Sequence, residues 1–168
     1  MPALIAIGLS VGILAGIWTS VSIIGQLVTF AAFLAWASYF AAGGGVKGLR
    51  DSLLCNFSGV VYGFLIIQFS GLISPSVGDA IGLGISLGVL AMFMCWQAKL
   101  SFLGFIPGTF IGCATFFATG LDFTGSVIGL VLGALLGHAS QLGGNLFTKV
   151  TAPPQYQAQV QTSAEEIK

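Results

Sequence analysis

The residues best suited to chemistry are few and lie inside apolar runs. His138, Gln141 and Asn145 follow one another at three- and four-residue intervals, so on a helix they share one face. A polar stripe in an apolar helix either hydrogen-bonds to neighbouring helices or lines a path. His138, the only histidine, could relay a proton, but no acidic residue lies near it in its run. Asn56 and Ser58 stand early in another apolar run, and Gln68 stands toward its other end. Two aromatic pairs, Tyr39-Phe40 and Phe116-Phe117, carry small hydroxyl neighbours in Ser38 and Thr115. Rings beside small residues can narrow a permeation path, anchor a helix at the membrane interface, or pack against a glycine surface.

The rest of the chain decides the setting of these groups. Of 168 residues, 56% are hydrophobic and 6% charged, with a mean hydropathy of +1.01. A soluble domain carries about 25% charged residues, so this chain is expected to be an all-α integral membrane protein. Net charge is zero and no basic cluster occurs, which gives no reason to expect a nucleic-acid partner. Cys55, Cys95 and Cys113 lie apart within apolar runs and read as packed thiols. No metal site is expected, because His138 would need further ligands from unmarked positions.

Six segments cover roughly 3–24, 26–42, 52–73, 80–98, 100–120 and 123–146. A perpendicular span takes about 17 to 25 residues, so 26–42 is at the lower limit, as a broken or strongly packed helix would be. Pro107 is the expected place for a break in the fifth segment. Lys47, Arg50, Lys99 and Lys149 fall in alternate connections and Asp79 and Asp122 in the others. Six spans with both termini in the cytoplasm put every loop lysine and arginine on the cytoplasmic side. Trp18 and Trp96 read as interfacial belt residues. Beyond Val150 the Pro- and Gln-rich 151–168 segment reads as a loose cytoplasmic tail.

An internal similarity orders the segments. Gly8-Leu-Ser-Val-Gly-Ile-Leu-Ala15 matches Gly84-Ile-Ser-Leu-Gly-Val-Leu-Ala91, and Trp36-Ala-Ser-Tyr-Phe-Ala-Ala-Gly43 matches Cys113-Ala-Thr-Phe-Phe-Ala-Thr-Gly120. Each unit then holds three helices, about 3–73 and 80–146, and an odd number of spans turns the second upside down relative to the first. Glycines at four-residue spacing form flat helix faces for close backbone packing. The packing set is Gly12, Gly59, Gly63, Gly88, Gly129, Gly133 and Gly137.

The run Phe105-Ile-Pro-Gly-Thr-Phe-Ile-Gly-Cys-Ala-Thr-Phe-Phe-Ala-Thr-Gly120, with Trp36-Ala-Ser-Tyr-Phe40, resembles the YcdZ-like family of small bacterial inner-membrane proteins over about residues 3–149. The resemblance implies a multi-pass inner-membrane location and supplies no catalytic or binding residues. No nucleotide loop, catalytic carboxylate pair or nucleophile motif occurs, so neither an enzyme nor a bound cofactor is expected. The leading expectation is a passive channel or facilitator for a small neutral or weakly charged solute. Its path would be lined from Ser38, Tyr39, Phe40, Asn56, Thr115, Phe116, Phe117, His138, Gln141 and Asn145. An ion-coupled secondary transporter with discontinuous helices and a nontransporting scaffold are the alternatives. Membrane lipid, a small solute and further copies of the chain, as a dimer or trimer, are the expected partners.

Overall fold

A computed structural model of the chain describes residues 2–150; the 151–168 segment read above as a tail lies outside them. The chain forms α1 (Ala3–Ile24), α2 (Thr29–Ala41), α3 (Gly45–Val77), α4 (Asp79–Trp96), α5 (Ile106–Ala118) and α6 (Phe123–Val150), with 3-10 turns at Gln97–Lys99 and Ser101–Leu103. No strand occurs among the described residues. In hydrocarbon every backbone N–H and C=O must find a partner within the protein, and helices of apolar residues meet that demand. α1, α3, α6 and α4 with the 3-10 turn after it are long and apolar enough to cross a membrane.

The other two helices are each shorter than a full span. α2 and α5 have 13 residues each, about 20 Å at 1.5 Å per residue, against a hydrocarbon thickness of about 30 Å. The run 100–120 is not one helix. Its first part makes a 3-10 turn, and Pro107 stands in the first turn of α5, where its missing N–H leaves no helical bond unmade. The proline starts a helix and does not break one. α3, by contrast, runs 33 residues and carries Pro75 in its last turn.

Both short helices end the same way. In α2 the Gly43 N–H donates to the Phe40 carbonyl and the Gly44 N–H to the Tyr39 carbonyl, with φ of 93° at Gly43. In α5 the Gly120 N–H donates to Phe117 and the Leu121 N–H to Phe116, with φ of 72° at Gly120. This pair of bonds, with a left-handed glycine after the cap, closes the orphan carbonyls of a helix end. The polypeptide can therefore turn sharply without leaving backbone groups unsatisfied.

The long helices α3 and α6 touch at the centre, and each carries a short helix against a glycine face: α5 lies on α3, and α2 lies on α6. α4 flanks α3, and α1 flanks α6. A Cβ on Gly59 would collide with the Thr109 carbonyl oxygen, and one on Gly133 with that of Ala32. A Cβ on Gly63 would stand 2.8 Å from the Phe116 ring, and one on Gly137 would stand 2.8 Å from the Tyr39 ring. Gly129 meets the Ala31 side chain, while Gly108 meets that of Cys55. Close approach of this kind replaces the missing hydrophobic drive between helices in lipid. Ala35, Val60, Phe116, Leu130 and Ala134 form the buried core where α2, α3, α5 and α6 meet.

Gly12 and Gly88 do not join these seams. A Cβ on either would meet nothing from another helix within 4 Å among the described residues, and the same holds at Gly8, Gly16 and Gly84. The outer faces of α1 and α4 also expose Ile13, Ile17, Leu87 and Met92, as lipid-facing helices do. Trp96 is exposed at the end of α4, but Trp18 is buried and donates its indole N–H to the Thr29 carbonyl at 3.2 Å. Trp18 thus ties α1 to the start of α2 instead of serving as a belt residue.

Candidate functional site

Tyr39, in the last turn of α2, is the hub of a polar cluster. Its hydroxyl lies 3.2 Å from Nδ1 of His138, accepts the Gly45 N–H at 2.8 Å and donates to Oε1 of Gln141. The Gly45 N–H also reaches Gln141 Oε1 at 2.7 Å. An N–H must face an oxygen, which fixes the carbonyl of the Gln141 amide toward the turn. The single tyrosine proton goes to Gln141, so the network assigns the imidazole proton to Nδ1 of His138, donating to Tyr39. Gly43, Gly44 and Gly45 all have positive φ, at 93°, 67° and 63°. A turn that only glycine adopts at low cost thereby presents a backbone donor to the cluster.

The matching corner at the end of α5 has no such cluster. Phe116 occupies the place that Tyr39 holds at the end of α2, again lying on a glycine of a long helix. The positions of α3 that match His138 and Gln141, once Gly63 is set against Gly137, are Phe64 and Ile67. Phe116 makes apolar contacts where Tyr39 makes hydrogen bonds, while the turn after α5 is held by the Thr119 and Ser126 hydroxyls at 2.8 Å and by the Gly125 N–H donating to Asp122 at 2.9 Å.

Asn56 forms a second site, deep in the protein. Its Oδ1 accepts the Ser38 hydroxyl at 2.9 Å, joining α3 to α2, and its backbone carbonyl lies against Gly112 of α5. The side chain is buried, and its Nδ2 has no hydrogen-bond partner among the described residues. A buried amide donor left unmatched costs about 1–3 kcal/mol. Thr115, one turn along α5 from Gly112, is also buried and turns its hydroxyl back to the Ile111 carbonyl at 2.8 Å. In α6 the position corresponding to Asn56 is held by Leu130, which is buried too.

Other polar groups fasten the helices. Trp36 donates to the Ser140 hydroxyl at 3.0 Å, linking α2 to α6. Gln97 Nε2 reaches Thr109 at 2.7 Å and Ser58 at 3.1 Å, so the 3-10 turn after α4 is tied to α5 and α3. Neither Trp36 nor Gln97 stood out in the sequence as a hydrogen-bonding group, because each partner is distant along the chain. At the start of α3, Asp51 is held by Lys47 at 2.6 Å and Arg50 at 2.8 Å. Lys47 and Asp51 line a cavity of about 350 Å³ with Ser101, Gly104 and Phe105.

The expected path residues therefore divide into groups. His138, Gln141 and Tyr39 come together, as do Ser38 and Asn56. Asn145 is exposed on α6 and lies outside the bonds that join Tyr39, His138, Gln141 and Gly45. Phe40 is partly exposed, and Phe117 packs toward the buried cluster of Ile66, Leu90, Met94 and Cys113. The inner ring of each aromatic pair, Tyr39 or Phe116, fills a glycine notch. The rings of each pair meet edge to face, at 5.2 Å for Tyr39 and Phe40 and 5.9 Å for Phe116 and Phe117.

Comparison with known proteins gives relatives across most of the chain. Residues 8–145 match a family described as protein of unknown function DUF1097. The chain is 42% identical over 146 residues to the inner membrane protein YcdZ of Escherichia coli K12, covering 86% of this chain and 87% of that protein. It is 40% identical to the inner membrane protein YcdZ of Salmonella typhimurium LT2, covering 86% and 89%. It is 35% identical to the uncharacterized protein YahC of Escherichia coli K12, covering 90% and 96%. No solved structure gives a significant match. Together with the all-helical membrane architecture, these matches establish that the chain belongs to the DUF1097 family, the YcdZ-like group of membrane proteins.

Proposed function

We propose that the chain is a passive facilitator for a small uncharged or weakly charged solute, built from two inverted three-helix units and seated in the bacterial inner membrane. The observation that carries this reading is the pair of 13-residue helices, α2 and α5, which pack against each other although each alone is shorter than the hydrocarbon thickness, so that the non-helical residues flanking them complete the crossing. Short helices that meet inside the protein bring their ends and their Ser38 and Thr115 hydroxyls to a depth that an unbroken apolar bundle would fill with hydrocarbon side chains. Helix interruptions of this kind are tolerated where protein or a path surrounds them.

The inverted plan is supported contact by contact. Gly59 on Thr109 corresponds to Gly133 on Ala32, Gly63 on Phe116 to Gly137 on Tyr39, and Cys55 on Gly108 to Gly129 on Ala31. In each case the long helix of one unit receives the short helix of the other. The inner-membrane seat is supported by the two YcdZ relatives, which are inner membrane proteins. Basic residues in alternate connections favour both termini in the cytoplasm. The absence of catalytic motifs in the sequence favours transport over enzymatic chemistry.

A second reading, a nontransporting membrane partner or a dimer or trimer of this chain, is favoured by the open glycine faces of α1 and α4. The two are separated by reconstituting the full chain into liposomes and following shrinkage and re-swelling with small solutes by light scattering. Solute entry faster than in protein-free liposomes supports the facilitator. Unchanged entry across a panel of neutral solutes rejects it in favour of the partner role.

A further inference from the structure

We infer that Asn56 is the selectivity-determining group of the path, and that it selects small uncharged solutes presenting a carbonyl or hydroxyl oxygen while rejecting cations. This rests on the facilitator reading. Asn56 has one side-chain oxygen and one side-chain nitrogen, and they are used unequally. Its Oδ1 is occupied by the Ser38 hydroxyl at 2.9 Å, while Nδ2 is buried without a partner. The site therefore has a donor to offer and has committed its acceptor. A donor in a low-dielectric interior favours an acceptor oxygen and gives nothing to a cation, which needs several oxygens to replace its water.

Packing does not require an amide here. The corresponding position in the other unit is Leu130, buried in the core beside Ala35 and Val60. The same fold thus accommodates an apolar side chain of similar volume at that level. Asn56 also lies where three elements converge: Ser38 of α2 bonds its side chain, and Gly112 of α5 lies against its backbone. Gly112 has no side chain to cover the Asn56 carbonyl, and a Cβ there would collide with it. The donor is therefore held at the meeting of both short helices, the place where the facilitator reading puts the path.

The test uses full-length protein in liposomes, with acetamide and glycerol as acceptor solutes and methylammonium and potassium as cations. Wild type should accelerate the two neutral solutes and neither cation. Asn56→Leu and Asn56→Thr should each slow the neutral solutes by on the order of tenfold, the size of one hydrogen bond to a neutral partner. The threonine hydroxyl can turn back to its own helix and leave no free donor, so it repeats the test should leucine disturb folding. If wild type conducts and both Asn56 variants, incorporated equally, conduct at the same rate, the inference is overturned and the facilitator stands. Cation flux through wild type would overturn the donor assignment, because it requires the amide oxygen to face the path. No acceleration of any solute by wild type would overturn the facilitator and the inference together.

Discussion

The ring of Tyr39 lies on the bare backbone of Gly137, so close that a Cβ on the glycine would stand 2.8 Å from the ring. This contact sets how near the short helix α2 comes to α6, and it brings the tyrosine hydroxyl to His138 and Gln141 one turn further along. Packing and polar chemistry at this corner are therefore one arrangement. The glycine allows the approach, and the approach makes the hydrogen bonds.

Removing the hydroxyl should be costly in a recognisable way. Tyr39→Phe leaves Gln141 and the shared Gly45 N–H with fewer partners and should destabilise the protein by about 1–3 kcal/mol. Replacing the imidazole as well, Tyr39→Phe with His138→Phe, should recover part of that loss, since Gln141 still accepts the Gly45 N–H and the ring that lost its tyrosine partner is gone. Thermal unfolding in detergent compares the two proteins. A double variant less stable than Tyr39→Phe alone would refute this account of the corner.

Glycine substitutions should sort by contact and not by spacing. Gly133→Leu and Gly59→Leu force side chains into the carbonyls of Ala32 and Thr109, an overpacking that costs about 1–3 kcal/mol or more. Gly12→Leu and Gly88→Leu enter open space and should leave thermal aggregation unchanged. Monodispersity by size exclusion with a heating series reads both classes. Loss of a defined oligomer in Gly12→Leu, with stability retained, would assign that face to a second copy of the chain.

Topology is open to direct measurement. Reporters fused at residue 47, within 97–103 and after residue 149 should report the cytoplasm, and reporters at 79 and 122 the opposite side. The 97–103 position is the informative one, because the 3-10 turns put it beside the α2–α3 corner through the Lys47 cavity. Opposite signals from 47 and 97–103 would contradict the arrangement.

These outcomes also mark where the sequence was readable. Gly129, Gly133 and Gly137 at four-residue steps had to lie on one helix face, and that face is the α2 seam. Gly8, Gly12 and Gly16 have the same spacing and meet no other helix among the described residues, because periodicity defines a face without naming its partner. The stretch before α5 was misread for a related reason. Leu100, Phe102 and Leu103 are as apolar as a span, and composition does not separate a 3-10 turn from an α-helix. His138 and Gln141 were visible as a local pair, three residues apart. Tyr39 joins them from α2 across 99 residues, a distance over which local patterns carry no information.

The central claim, that a solute passes where α2 meets α5, is tested most directly by a reversible block at Thr115. In a background with Cys55, Cys95 and Cys113 replaced by alanine, Thr115→Cys is reconstituted and treated with a small methanethiosulfonate reagent while acetamide flux is followed. Reagent attached there should abolish the protein-dependent flux, and a reducing agent should restore it in the same liposomes, which separates blockage from damage to the fold. Flux that persists after mass spectrometry shows complete modification of Cys at position 115 would contradict the account, as would protein-dependent flux through a protein in which that thiol never reacts.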